Sequence, residues 1–579
     1  MIVVDQFRYD YLTRFKDLFG PAGLKRLMRE GAFWTNVNYP FVPTKTAPGH
    51  TAIMTGAPPS VSGIAGNEWI ERESGRTVTS VGDNNAKLLG GGPGEVANSP
   101  HRMLASTVGD ELRLATNDRA KVIGISEKAR AAILPAGRRA NAAYWLSSSS
   151  GNVVSSDYYF QQLPDWVLEF NRSRPLDKYF GARWDRLLPE AEYLKRAGAD
   201  SPPWEIVNDA PGETNAFPHW VTGGATKPGT AYYDALDHSP FVNDVLVSFA
   251  ERAIEMERLG EDDDTDLLSV SLSGNDHVGH RFGPASQEVM DMALRVDRQI
   301  AGLLDFVDSR VGLKKTLVVF SSDHGVSPAV GQSAARGIKP TVVGTSELMN
   351  AIRAAINAHF SSRSVSGRVV ADPKKPATDY IFKFRDGSAM KDAIANGNVY
   401  FDLEALKRDG VSLDEITRVA GEAALKVPGI ARYFTRSQLG RCAENIGAGS
   451  NNRLSKPKGR QTGISILPCS GLRDSLGTRV LRGFDPKLSG DLIVVQKPFV
   501  ILGDSVDPAT HGSPYSYDTH VPLIIMGAGL RAGGYHQPAT PLDIAPTVTS
   551  VLKIPTPSKS QGRILREALT SDRSKQTIH

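Results

Sequence analysis

Residues 267–325, LLSVSLSGNDHVGHRFGPASQEVMDMALRVDRQIAGLLDFVDSRVGLKKTLVVFSSDHG, read as strand, helix, strand. Leu267–Ser273 and Lys315–Ser321 are short apolar runs, and residues 286–307 between them carry apolar side chains at helical spacing. A helical crossover between two such runs is what parallel pairing requires. The same alternation recurs outward from this stretch. Met1–Asp5 is a strand ending in an acid, with helical periodicity over 12–19 and 23–30. KVIGIS at 121–126, DLIVVQKPFVIL at 491–502 and VPLIIMG at 521–527 are further apolar runs, and 241–259 and 543–552 are helical. The expected fold is α/β: a mostly parallel central sheet with helices on both faces.

At 579 residues the chain is too long for one simple core. Residues 141–238 lose periodicity and gain Pro, Trp and Tyr, and 326–490 depart from the alternation again. The expected order is core over 1–140, inserted cap over 141–238, core over 239–325, second inserted cap over 326–490 and core over 491–579. Residues 56–100, rich in Gly, Pro, Ser and Asn, read as loop. A net charge of +4 gives no footprint for a nucleic-acid partner or a polybasic membrane anchor. No apolar run is long enough for a membrane span. The two cysteines, Cys442 and Cys469, are too few for a zinc site. A disulfide between them is expected over two inert thiols. No charged and apolar leader precedes the first strand, so a signal segment is not expected within this chain.

Ligands in open parallel sheets bind outside the carboxyl ends of strands. Asp5 ends the first strand; Asp323 and His324 end the run TLVVFSS. Asp276 and His280 follow a third strand at i, i+4, one face of a helix, and His511 sits in a turn-rich loop after PFVIL. Three aspartates and three histidines make a donor set that suits zinc, with a harder metal such as Mn²⁺ or Mg²⁺ as the alternative. Singly, each has a plainer reading: a strand-end Asp is most often a cap or turn residue, and His511, like His50, His277 and His520, could be a polar loop residue. The stretch PTKTAPGHTAIMTGAPPSVSGIAGN, residues 43–67, puts Thr46 at a helix start and returns Asn67 toward it. Thr46 is either an N-cap for the Gly49 or His50 amides, or a nucleophile whose hydroxyl needs a base or metal to remove its proton. Thr44 and Thr51 are alternatives.

These motifs resemble the alkaline phosphatase superfamily. The nearest branch has a threonine nucleophile: single-chain bacterial alkaline phosphatases, related to nucleotide pyrophosphatase/phosphodiesterases. The resemblance rests on VDQFRYDYL (4–12), PTKTAPGHTAIMTG (43–56), GIAGNEW (63–69), SEKARAAILPAG (126–137), NDHVGHRFGP (275–284), SSDHG (321–325) and THGSPYSYDTHVPL (510–523), in the family's order. It implies two zinc ions, one held by Asp276, His280 and His511 and the other by Asp5, Asp323 and His324. Thr46 would then attack phosphorus to give a phosphothreonine intermediate. Lys128 and Arg130 lie at i, i+2; as extended chain they would point the same way, and with Asn67 they look like the phosphate clamp of the monoesterase branch. Their plainer reading is a solvated basic turn. Ser62 and Arg138 stand where relatives often carry His. The expected function is a zinc-dependent phosphomonoesterase acting on small phosphate esters. The alternative is a phosphodiesterase or nucleotide pyrophosphatase on the same fold, and a third reading is a binding module without activity. Relatives of this kind are mostly exported, so a periplasmic or secreted monomer is expected, with a cytoplasmic form as the alternative.

Overall fold

Ten strands form one sheet, in the order Gly533–Tyr535, Ala32–Trp34, Leu523–Met526, Val318–Ser321, Ile2–Val4, Leu267–Leu272, Val122–Ser126, Ala142–Leu146, Val153–Ser156 and Leu88–Leu89. The structure, a computed structural model, describes residues 1–205, 215–339, 341–360, 364–365, 368–369, 379–386, 389–447, 475–504 and 507–570. The five strands from Val318–Ser321 to Ala142–Leu146 are mutually parallel, and antiparallel pairs flank them. The fold is therefore α/β with a parallel centre inside a mixed sheet. Side chains alternate across it: Ile2 and Val4 join one apolar layer, Val3 the opposite one. On the first face lie helices Phe241–Met256 and Gln287–Arg310, contributing Leu246, Phe249, Val289 and Val296. On the second lie Thr46–Thr55 and Ile544–Leu552, contributing Ile53, Met54 and Val548. Fully burying one such side chain contributes about 1.5–3 kcal/mol, so a sheet covered on both faces is a stable platform.

The expected boundaries shift at two places. Residues 142–156, assigned to the first insertion, supply two strands of the main sheet; Tyr144 and Trp145 pack on opposite faces of it. Their serines and aromatics hid a strand buried on both sides. The core does not resume at 491. Leu492–Gln496 pairs with Ile430–Thr435 and Asn398–Val399 in a separate four-stranded sheet, and Val500–Leu502 pairs with Thr341–Val343. An apolar run reports burial, not which sheet buries it. This second unit has its own core, with Leu348, Ile352, Ile416 and Val494 among its members. The stretch 56–100 is also not all loop: Glu68–Glu71 and Arg76–Thr79 form a hairpin that pairs with Lys383–Asp386. Cys442 is buried and is not a free thiol, while Cys469 lies outside the described residues. Among the described residues no helix is long and apolar enough to cross a membrane.

Candidate active site

Parallel register brings several chain segments out at one edge of the sheet. Val4 pairs with Leu272, Val3 with Ser321, and Ser271 with Ser126. Asp5, the Ser322–His324 turn, the Asp276 helix and Lys128 therefore leave the sheet side by side. Asp276 and His280 lie one turn apart on helix Gly274–Phe282, with Nε2 of His280 3.3 Å from Asp276 Oδ1. His511 Nε2 approaches the same oxygen at 3.7 Å. His324 Nε2 is 3.4 Å from Asp5 Oδ1 and 3.3 Å from Asp323 Oδ2, and its ring stacks on His511 at 3.5 Å. Two ligand groups result, Asp276 with His280 and His511, and Asp5 with Asp276 and His324, so Asp276 belongs to both. All six acids and imidazoles singled out in the sequence come together here.

The orientation of the imidazoles tests whether this set suits a metal. In His280, His511 and His324 the Nδ1 atoms lie 2.9, 2.8 and 2.9 Å from the carbonyl oxygens of Ala509, Thr44 and Gly325. A carbonyl only accepts, so Nδ1 carries the hydrogen, and the Nε2 lone pair of a neutral ring is turned toward the carboxylates. Lone pairs facing lone pairs need a cation between them. Asp5 Oδ1, Asp323 Oδ2 and His324 Nε2 are buried without a hydrogen-bond partner, as metal donors would be. The electrostatics agree for two of the three rings, while at His280 the Asp276 carboxylate overcomes burial and raises the pKa. Burial pushes the His511 and His324 rings toward the neutral form. Burial, with Asp276 and Asp323 nearby, raises Asp5 well above the carboxylate range. For Asp276 burial acts the same way, but Lys128 and His280 outweigh it and hold the group well below its usual value. His324 and His50 likewise overcome burial at Asp323 and bring it to about 2. The residues fit a metal site.

Thr46 is the first residue of its helix, and extended Lys45 precedes it as the N-cap. Thr46 Oγ1 is buried with no hydrogen-bond partner, so it caps nothing. Asn67 Oδ1 accepts from the Ala47 amide at 2.8 Å, tying the Gly-rich return to the helix start. Lys128 Nζ donates to Asp5 Oδ2 at 2.9 Å and also to Asp276 Oδ2, bridging both ligand groups. Burial opposes that charge, but the two carboxylates win and raise its pKa. It is not a solvated basic turn. Nor do Lys128 and Arg130 share an extended segment. The strand stops at Ser126, Lys128 caps helix Ala129–Ala136, and Arg130 lies in its first turn, because the Ala-rich ARAAILPA favours helix. Arg130 Nε is buried without a partner, close enough for its charge to act on Lys128 and Lys45.

Three residues of the site were not singled out in the sequence. Gln6 adopts φ 61°, a left-handed conformation rare for a residue with a Cβ, and its backbone N–H donates to Asp323 Oδ1 at 3.1 Å. Its amide donates to Asp276 Oδ1 at 2.5 Å. A Cβ on Gly279 would stand 1.8 Å from Gln6 Oε1, which explains the glycine inside DHVGH. Lys45 packs its Cε against Gly512, and burial lowers its pKa. His50, grouped above with loop residues, is helical and fully buried. No periodicity announces Gln6; His50 alone was legible, one turn after Thr46.

Comparison with known proteins places this geometry. The profile of the family described as "Type I phosphodiesterase / nucleotide pyrophosphatase" matches residues 1–341. Alkaline phosphatase PafA of Elizabethkingia meningoseptica is 32% identical over 98% of this chain and 93% of its own. Alkaline phosphatase PhoV of Synechococcus elongatus is also 32% identical, over 98% and 92%. The crystal structure of wild-type PafA superposes with a TM-score of 0.81 at 31% identity, covering 98% of both chains. This chain belongs to the type I phosphodiesterase / nucleotide pyrophosphatase family, and along its whole length it is built like the alkaline phosphatases it matches.

Proposed function

We propose that the chain hydrolyses phosphate monoesters at a two-zinc site through a phosphothreonine on Thr46. The observation that carries this reading is the buried, unpartnered Thr46 hydroxyl at a helix start, beside two acid–imidazole groups bridged by a lysine. Asp276, His280 and His511 would hold one zinc, and Asp5, Asp323 and His324 the other. Bound there, zinc supplies the positive charge that acidifies a hydroxyl or water and stabilises a departing oxygen. The dipole of the Thr46 helix favours both the ionised hydroxyl and an anionic substrate. Thr46 Oγ forms the new bond to phosphorus as the ester oxygen leaves, and water then cleaves the phosphothreonine to release phosphate and restore the hydroxyl.

The monoester preference rests on Lys128, Arg130 and Asn67. A monoester dianion presents one more charged oxygen than a diester and gains more from two cations and an amide. Metal at Asp5 and Asp276 would compete with Lys128 for the same carboxylates and release its ammonium for the phosphate. The family's description includes diesterases, so the test is direct: turnover of an aryl phosphate monoester against the bis-aryl diester, with metal content measured on the same sample. Preference for the monoester with two zinc per chain is expected; preference for the diester refutes the assignment. An exported location fits the absence of a free thiol at Cys442.

A further inference from the structure

The TAPGH motif ends in Gly49 and His50, which the reaction above does not use. A Cβ on Gly49 would lie 2.2 Å from the backbone oxygen of Asp323, so the Thr46 helix rests directly on the Asp323 main chain. One residue on, His50 is fully buried. Its Nδ1 bonds the Thr46 carbonyl at 2.9 Å and lies 3.3 Å from Asp323 Oδ2, somewhat off the line of a good hydrogen bond. Its Nε2 is 2.8 Å from Ser271 Oγ. Both neighbours of Nδ1 are acceptors only, so Nδ1 carries the hydrogen; in the neutral ring Nε2 accepts from the serine hydroxyl. Ser271 pairs with Val3 in the middle of the sheet and is fully buried, and its hydroxyl finds its partner in the ring.

We propose that His50 is a positioning residue that locks Asp323 against the helix carrying Thr46, with Ser271 fixing the tautomer it needs. One N–H thus lies between the nucleophile's own carbonyl and a metal-binding carboxylate. The ligand and the attacking hydroxyl are held in one frame from behind, without His50 touching the substrate. The pathway runs from a rigid strand through Ser271 and the ring to two groups on separate segments. It rests on the reading of Asp323 as a ligand and of Thr46 as the nucleophile.

The test compares His50→Asn with His50→Gln in the full chain. An Asn amide nitrogen reaches the position of Nδ1, whereas Gln reaches that of Nε2 and leaves the Thr46 carbonyl and Asp323 unserved. Zinc affinity is measured by chelator competition, with kcat and KM for a monoester. His50→Gln should bind zinc about 10–100-fold more weakly, as loss of an outer-shell partner does, with kcat reduced and KM little changed. His50→Asn should stay within about threefold of wild type, which sets the size of rescue expected when the same N–H is restored. Ser271→Ala should shift zinc affinity in the same direction as His50→Gln by a smaller factor. Equal zinc affinity in Asn, Gln and wild-type proteins overturns the proposal, as does an Asn variant no better than Gln. Those affinity readings are independent of activity. If wild type cleaves no monoester while the Asn/Gln contrast in zinc binding persists, the proposed function fails and the role of His50 stands.

Discussion

Replacing Lys128 with Met separates two roles of one ammonium. Nζ compensates Asp5 and Asp276 in a fully buried setting, bonded to both. Removing one partner of a buried ion pair typically costs about 3–5 kcal/mol, because the remaining charge is stranded. That cost falls on the metal-free chain. Zinc bound to the same carboxylates cancels it, so the variant should recover the energy on loading. At about 1.4 kcal/mol per factor of ten, zinc affinity should rise by up to roughly 10²–10³-fold. Catalysis should move the other way. A hydrogen bond from a charged donor is worth about 1.5–3 kcal/mol, so kcat/KM for a monoester should fall roughly 10–100-fold, and less for a diester. Chelator competition at one alkaline pH gives the first quantity and steady-state kinetics of the loaded enzyme the second. Unchanged or weaker zinc binding would refute the idea that Lys128 and metal contend for those carboxylates, whatever happens to the rate.

Further expectations are simpler. Wild type should give an acid-stable phosphoprotein on quenching, and Thr46→Ala should abolish both it and turnover, with the metals retained; residual turnover near wild type would mean another group attacks. Arg130→Ala should reduce monoester hydrolysis at least about tenfold more than diester hydrolysis, since charge compensation is its proposed role, and equal losses would count against the clamp. Away from the site, Glu205 is buried with neither oxygen hydrogen-bonded among the described residues, and burial with Glu288 and Asp200 pushes it up to about 10. Its native pKa exceeds the unfolded one, so the folded chain holds a proton that the unfolded chain releases. Stability should therefore fall as pH rises from about 4.5 toward 10, with a slope of up to about 1.4 kcal/mol per pH unit from this group. Glu205→Gln should flatten that slope in thermal unfolding scans, and an unchanged slope would assign it elsewhere.

The acids at strand ends were legible because two local signals coincide in them. Apolar runs locate buried strands, and parallel pairing sends every such strand toward the same edge, so Asp5, Asp323 and His324 could be placed together without coordinates. Asp276 and His280 added the helical i, i+4 rule. What escaped depends on contacts between distant segments. No local pattern distinguishes a run at 492–496 that joins the separate four-stranded sheet from one that joins the main sheet, since both bury two faces. The strands at 142–156 were masked because their buried positions include serines and aromatics that pair across the sheet.

The case of Gln6 shows why some of the site stays invisible in a single sequence. Its side chain matters only because φ 61° turns it onto Asp276, and its amide sits where a Cβ on residue 279, on another segment, would stand were that residue not glycine. Lys128 is similar: its type was readable, but the pair of carboxylates it bridges comes from a strand end and a helix 271 positions apart along the chain, at Asp5 and Asp276. His50 joins the set through Ser271, a hydroxyl that looks like a flaw in an apolar strand until the ring above it is seen. In each case a residue that breaks its local rule, a left-handed glutamine, a buried lysine or a core serine, is compensated by a partner far away in sequence. Such breaches are best read together: where several converge on one edge of a sheet, each explains another, and the site they enclose is the reason the fold tolerates them.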